Sequence, residues 1–172
     1  MIYKYIFIVF SILTLFACKN KTDEISETRK TVNHYYFVRH AEKDTSNPND
    51  GNPTLTKEGL LRAKNLSNIL IAVNIDAVYS TNYKRTLLTA KPTADKNDLE
   101  TTVYKPNELD VAEILKAQKN TLIVGHSNTI PKLVNSIINS EVYNKNDDND
   151  FGNLYHVVIT NGEVSDYELR RY

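Results

Sequence analysis

An apolar run that stops abruptly at an arginine and a histidine is the feature that most constrains this chain. Tyr35-Tyr36-Phe37-Val38 has the content of a buried strand, and Arg39-His40 follows at once, continuing into Ala41-Glu42-Lys43. A sheet interior does not accept a guanidinium, so the strand must end there and present both side chains at its edge. In open α/β sheets, ligands gather at the carboxyl ends of strands. A cation beside an imidazole at such an end points to an anion, phosphate first.

The rest of the chain alternates in the way that such a sheet requires. Asp44 to Pro53 is dense in turn residues and reads as a loop rimming the site. Thr56 caps an amphipathic helix whose apolar face carries Leu60, Ala63, Leu66, Ile69, Leu70 and Val73. Ile75 to Tyr79 is a second buried strand, and Ser80-Thr81-Asn82 then favour capping of a helix that has Arg85 in its first turn. Pro92 should end or kink that helix. A weak strand over Glu100 to Tyr104 and a short helix from Asn107 to Lys119 precede Thr121-Leu122-Ile123-Val124, a central strand that breaks at Gly125-His126-Ser127-Asn128. Ile130, Leu133, Val134, Ile137 and Ile138 at helical spacing, with Pro131 in the first turn, predict a helix starting just after His126. Asn144 to Asp150 is an acidic, asparagine-rich loop. Leu154 to Thr160 and Val164 to Leu169 flank Asn161-Gly162 as a terminal hairpin.

The expected fold is therefore a three-layer α/β/α sandwich, its central sheet mostly parallel with an antiparallel hairpin at the end. Parallel strands put Arg39 with His40, Arg85, and His126 on one sheet edge. Two guanidiniums offer forked donors to phosphoryl oxygens, one neutral imidazole supplies a nitrogen nucleophile, and the other can donate a hydrogen bond.

The 172 residues suffice for one domain. Residues 1–17 stand apart from it, with Lys4 as a short basic region and Tyr5 to Leu15 as an apolar one, too short for a membrane span of about 20 residues. Leu15-Phe16-Ala17-Cys18 resembles a bacterial lipobox, so Cys18 is the expected lipidation site. Lys19 to Thr31 is the expected tether, and 32–172 the catalytic domain. This places the protein in a bacterial cell envelope, lipid-anchored and extracytoplasmic. Cys18 is the one cysteine, which excludes an intramolecular disulfide, a cysteine nucleophile and a cysteine-rich zinc site. Basic and acidic residues number 21 each, so no global field favours nucleic acid, and the eleven tyrosines show no basic interleaving. No GxxxxGK[ST] loop is present. The residues set no oligomeric state.

Four ordered elements resemble the histidine phosphatase superfamily, also called the phosphoglycerate mutase-like family. They are Phe37 to Lys43; Leu55-Thr56-Lys57-Glu58-Gly59 with Arg62-Ala63; Tyr79-Ser80-Thr81 through Arg85 to Thr89-Ala90; and Val124 to Asn128. The resemblance implies that His40 forms a phosphohistidine while Arg39, Arg85 and His126 hold the phosphoryl group. It further implies a phosphatase acting on a small phosphorylated substrate, with no cofactor. Two guanidiniums beside the imidazoles also disfavour a metal.

Many members of that family carry a general acid, some as an aspartate directly after the second histidine, where this chain has Ser127. Ser127 is instead a candidate phosphate contact. The acid candidates by position are Glu108, then Asp110 and Glu42. His34 and His156 read as structural or surface residues. Asn128 reads as a helix cap, and the Thr129 amide as a further anion donor. Two other functions remain open on the residues alone: a lipoprotein that binds a phosphorylated ligand without turnover, and a phosphoglycerate mutase-type phosphotransferase.

Overall fold

Strand β1 (Val32–Arg39) lies inside a six-stranded sheet in the computed structural model, which describes residues 30–172. The signal-like segment, Cys18 and most of the expected tether fall outside the described residues. Thr31 is already tied to the domain, since its N–H donates to Asn161 Oδ1 and its carbonyl accepts from the Asn161 N–H.

The remaining strands are β2 (Ala77–Thr81), β3 (Thr101–Tyr104), β4 (Thr121–Gly125), β5 (Asn153–Thr160) and β6 (Glu163–Arg171). Their spatial order is β3-β2-β4-β1-β5-β6. The first four are mutually parallel, while β5 runs antiparallel to both β1 and β6. The expected layered sheet with its terminal hairpin is the one observed. Asn161 and Gly162 both take positive φ, 52° and 87°, as a two-residue hairpin turn demands.

Alternating side chains of the sheet build two cores. Tyr36, Val38, Val78, Leu122, Val124 and Leu154 face helices α1 (Lys57–Ile69) and α2 (Lys84–Lys96). Tyr35, Phe37, Ile123, Tyr155, Val157 and Ile159 face α3 (Val111–Lys116) and α4 (Thr129–Ile138). Because both faces of the central strands are covered, their sequences read as continuous apolar runs rather than alternating ones.

Several boundaries move, each for a physical reason. β2 starts and ends two residues later than its apolar run, because Ser80 and Thr81 are fully buried with their hydroxyls satisfied, so they continue the strand instead of capping a helix. α2 runs four residues past Pro92, whose carbonyl accepts from the Ser67 hydroxyl of α1. α3 is shorter than expected: Asn107 has φ 65°, Asp110 caps the helix by accepting from the Glu113 N–H, and Gln118 has φ 51° beyond its end. Leu60, expected on the buried face of α1, is half exposed. Gly59, Ala63, Leu66 and Ser67 make the seam, and Leu70 begins a 3₁₀ turn (Leu70–Ala72).

Candidate active site

The carboxyl ends of β1, β2 and β4 open onto one cavity of about 740 Å³, lined by Arg39, His40, Arg85 and His126 among others. The convergence expected from the alternation is thus present. The His40 and His126 rings stand 5.7 Å apart, edge to face.

Four main-chain contacts fix the segment that carries His40. The His40 N–H donates to the Gly125 carbonyl at the end of β4, and the Ala41 N–H donates to Thr89 Oγ1. That hydroxyl donates in turn to the Arg85 carbonyl, which explains a threonine four residues after Arg85 in α2. The Thr56 N–H donates to the Glu42 carbonyl, and Lys43 bridges Leu55. The turn after β1 is therefore clamped by β4, α2 and the approach to α1.

His40 Nδ1 lies 2.8 Å from the Ala41 carbonyl. A carbonyl only accepts, so Nδ1 carries the hydrogen and Nε2 keeps its lone pair. Burial pushes the His40 pKa down to about 3, and the Arg39, Arg85 and His126 charges push the same way against the Ala41 hydrogen bond. Near neutral pH the ring is an uncharged nitrogen nucleophile. His126 is lowered to about 4, by burial first and then by Arg85 and Arg39.

Arg39 and His40 are each only 4 % exposed, more enclosed than residues at a strand edge need be. The enclosure comes from the acidic loop 144–151. Arg39 Nη1 donates to the main-chain carbonyls of Asp147, Asp148 and Asp150 at 2.8, 3.0 and 3.2 Å, and the Phe151 ring lies 4.3 Å from its guanidinium carbon. Asp150 is held by Arg171, and Asn146 bonds the Tyr155 hydroxyl. Arg39 therefore organises the roof with one end of its fork. The Nε atoms of Arg39 and Arg85 are buried without an acceptor among the described residues, and an anion is the partner that would satisfy such donors. Arg85 stacks on Tyr83, whose ring also meets His126 edge-on at 5.1 Å.

The acid candidates fare differently. Glu108 does not line the cavity. Its exposed carboxylate pairs with Lys105 at 3.3 Å, because the positive φ of Asn107 turns the chain so that Pro106 and Asn107 face the site instead. Asp110 is the α3 cap. Glu42 does line the cavity, but Arg62 grips both its oxygens at 2.6–3.0 Å. Burial alone would raise the Glu42 pKa, and those bonds outweigh it so that the carboxylate stays ionised. None of the three is placed as a proton donor.

Ser127 lines the cavity beside Asp148. Asn128 occupies the cap position of α4 without a capping bond from its side chain; Thr129 Oγ1 instead accepts the His126 N–H. The Thr129 amide is no anion donor, since it donates to the His126 carbonyl. His34 and His156 are structural, bonded to each other at 2.9 Å away from the cavity, with His156 also on Glu168. Thr81 was read in the sequence as a helix cap, and neither it nor Tyr83 nor Phe151 was recognised as a site residue. Only the aromatic two residues before Arg85 and the one closing the acidic loop carried any local signal.

Fold and site together define an α/β domain with two imidazoles and two guanidiniums around a pocket at its strand ends. Residues 35–114 match the model of the histidine phosphatase superfamily (branch 1). No curated protein matches it in sequence. Solved structures with a similar fold include the mycobacterial glucosyl-3-phosphoglycerate phosphatase, at 11% identity and TM-score 0.61 over 82% of this chain and 98% of that one. The protein histidine phosphatase SixA complexed with tungstate is similar at 16% and 0.60, over 80% and 96%. Phosphoserine phosphatase of Entamoeba histolytica in complex with 3-phosphoglyceric acid is similar at 14% and 0.57, over 79% and 96%. At these identities the likeness is one of fold.

Proposed function

We propose that the protein is a metal-independent phosphatase working through a phosphohistidine on His40. The observation that carries this reading is the bare Nε2 of a neutral His40 in a cavity shared with Arg39, Arg85 and His126. The Nε2 lone pair forms the N–P bond as the bond from phosphorus to the leaving group breaks. Arg39 and Arg85 hold the phosphoryl oxygens where charge develops, already oriented and needing no reorganisation, and His126 completes the site beside them. Water then attacks phosphorus, phosphate departs, and the imidazole returns to its neutral form.

The second half of the proposal concerns the leaving group. Glu108 is turned away, Glu42 is locked to Arg62, and Asp110 caps a helix. Substrates whose leaving group departs without strong acid assistance are therefore favoured, such as aryl phosphates or phosphoramidates of the phosphohistidine type. Nitrophenyl phosphate should turn over much faster than glycerol phosphate, with no turnover by His40→Ala. Equal rates on the two esters would defeat the leaving-group argument, and an active His40→Ala would defeat the nucleophile.

The placement of the protein rests on the lipobox-like Leu15-Phe16-Ala17-Cys18. We infer a lipid on Cys18 and an extracytoplasmic, membrane-held domain. β1 enters the domain at Val32 and reaches the site at Arg39, so a tether at Val32 joins the end of the sheet opposite the cavity, about 25 Å away. A membrane-held domain would thus turn its site outward. Labelled fatty acid should be incorporated by the parent chain and not by Cys18→Ser; equal labelling of both would overturn the anchor.

A further inference from the structure

His126 is held from behind by two hydroxyls, and counting their protons fixes what the ring shows to the cavity. His126 Nε2 lies 3.0 Å from Thr81 Oγ1, which lies 3.0 Å from Thr86 Oγ1. Thr86 Oγ1 is 2.7 Å from the Thr81 carbonyl and 3.0 Å from the Tyr83 carbonyl. Carbonyls hold no hydrogen, so the short contact takes the single Thr86 proton. Thr86 Oγ1 then accepts the Thr81 proton, and Thr81 Oγ1 has only lone pairs left for His126. Nε2 therefore carries the hydrogen. Both threonines are fully buried, so no water can reverse the sequence of donors.

The other ring nitrogen, Nδ1, makes no hydrogen bond among the described residues, and the ring lines the cavity. When the ring is neutral, Nδ1 bears a lone pair. Burial first, then Arg85 and Arg39, keep the ring neutral; His40 and Tyr83 also face it edge-on, while the Asp148 carboxylate of the loop is turned to Ser127 and Lys145. A phosphoryl oxygen also brings lone pairs. Two lone pairs do not bond, so the contact needs one proton more.

We propose that Thr81 and Thr86 form a two-hydroxyl relay that sets the His126 tautomer, and that capture of a phosphoryl dianion is thereby coupled to uptake of one proton between Nδ1 and the phosphoryl oxygen. The inference rests on the phosphoryl-site reading above and goes further, because it assigns a positioning role to two threonines that touch no substrate. It also makes protonation of His126 a consequence of binding rather than a standing property of the site.

The test uses inorganic phosphate and the purified protein. Long-range proton–nitrogen NMR of the histidine rings, with His126 assigned by His126→Gln, should show the Nε2–H tautomer before phosphate is added and a doubly protonated ring or a shared Nδ1 proton afterwards. Calorimetry at a pH where phosphate is fully dianionic, in buffers of different ionisation enthalpy, should record uptake of about one proton per phosphate bound. Thr81→Val should bind phosphate about tenfold more weakly and lose the single-tautomer signature, and Thr81→Ser should restore both. An Nδ1–H tautomer in the protein without phosphate, phosphate bound with no proton uptake, or a Thr81→Val variant that binds like the parent would each overturn the proposal. None of these readings requires turnover. Coupling without hydrolysis would therefore defeat the phosphatase reading alone, whereas a phosphohistidine on His40 with the wrong His126 tautomer would defeat only the relay.

Discussion

Single side chains divide here into those that meet the phosphoryl group and those that hold them in place, and substitutions should separate the two sets. Arg85→Ala removes an oxyanion donor and should lower kcat/KM by about 10² to 10³. Arg39→Ala should cost at least as much, because it also releases the three loop carbonyls held by Nη1, and a rise in proteolytic cleavage within 144–150 would report that second effect. Glu108→Gln should leave kcat/KM within about twofold, as expected of a surface pair that contributes little. A hundredfold loss there would reinstate Glu108 as the acid. Arg39, His40 and His126 were legible in the sequence because each stands where an apolar run breaks, where a charged or titratable group has no packing reason to be, and Arg85 because it falls in the first turn of the helix that follows the second strand. Thr81, Tyr83 and Phe151 were not, because a buried threonine hydroxyl and a ring laid on a guanidinium look like ordinary strand and loop residues until the partner's position is known.

At the level of elements, the site depends on how closely α1 approaches the turn after β1. Gly59 sits where a Cβ would meet the Glu42 carbonyl oxygen at 2.4 Å, a main-chain atom that cannot swing aside. Gly59→Ala should therefore push α1 away from Ala41 to Lys43, lowering stability by about 1–3 kcal/mol in urea titrations and reducing kcat together with it. An unchanged midpoint would show that the helix can shift freely. The sequence pattern located every helix and strand among the described residues, but both ends of β2, both ends of α3 and the end of α2 moved. The reasons were hydroxyls that complete buried strands, a proline whose helix is braced by Ser67, and asparagine or glutamine residues at positive φ that stop helices early. Those are tertiary or backbone effects that hydrophobic spacing does not encode. The acidic loop 144–150 was recognised as a loop, yet its role as the roof over Arg39 depends on main-chain carbonyls, which any sequence possesses.

For the whole molecule, buried neutral histidines link stability to pH. The ordinary histidine pKa is 6.5, and the native values are about 3 for His40 and about 4 for His126. Between those limits the unfolded chain binds protons that the native one refuses, so the contribution is complete above pH 6.5 and is lost as pH falls toward 4. Thermal unfolding should reach lower temperatures across that window, and a His40→Asn, His126→Gln double variant should show a shallower fall; equal slopes would mean that the two rings are not held neutral. Activity should survive EDTA, while loss in EDTA with recovery on adding zinc would contradict a metal-independent reaction. The most direct measurement of the central claim is mass spectrometry of the protein quenched in alkali milliseconds after mixing with an aryl phosphate. The account predicts a phosphoryl adduct on His40 that forms and decays at rates matching turnover. Hydrolysis with no adduct on His40, or an adduct on another residue, would contradict it.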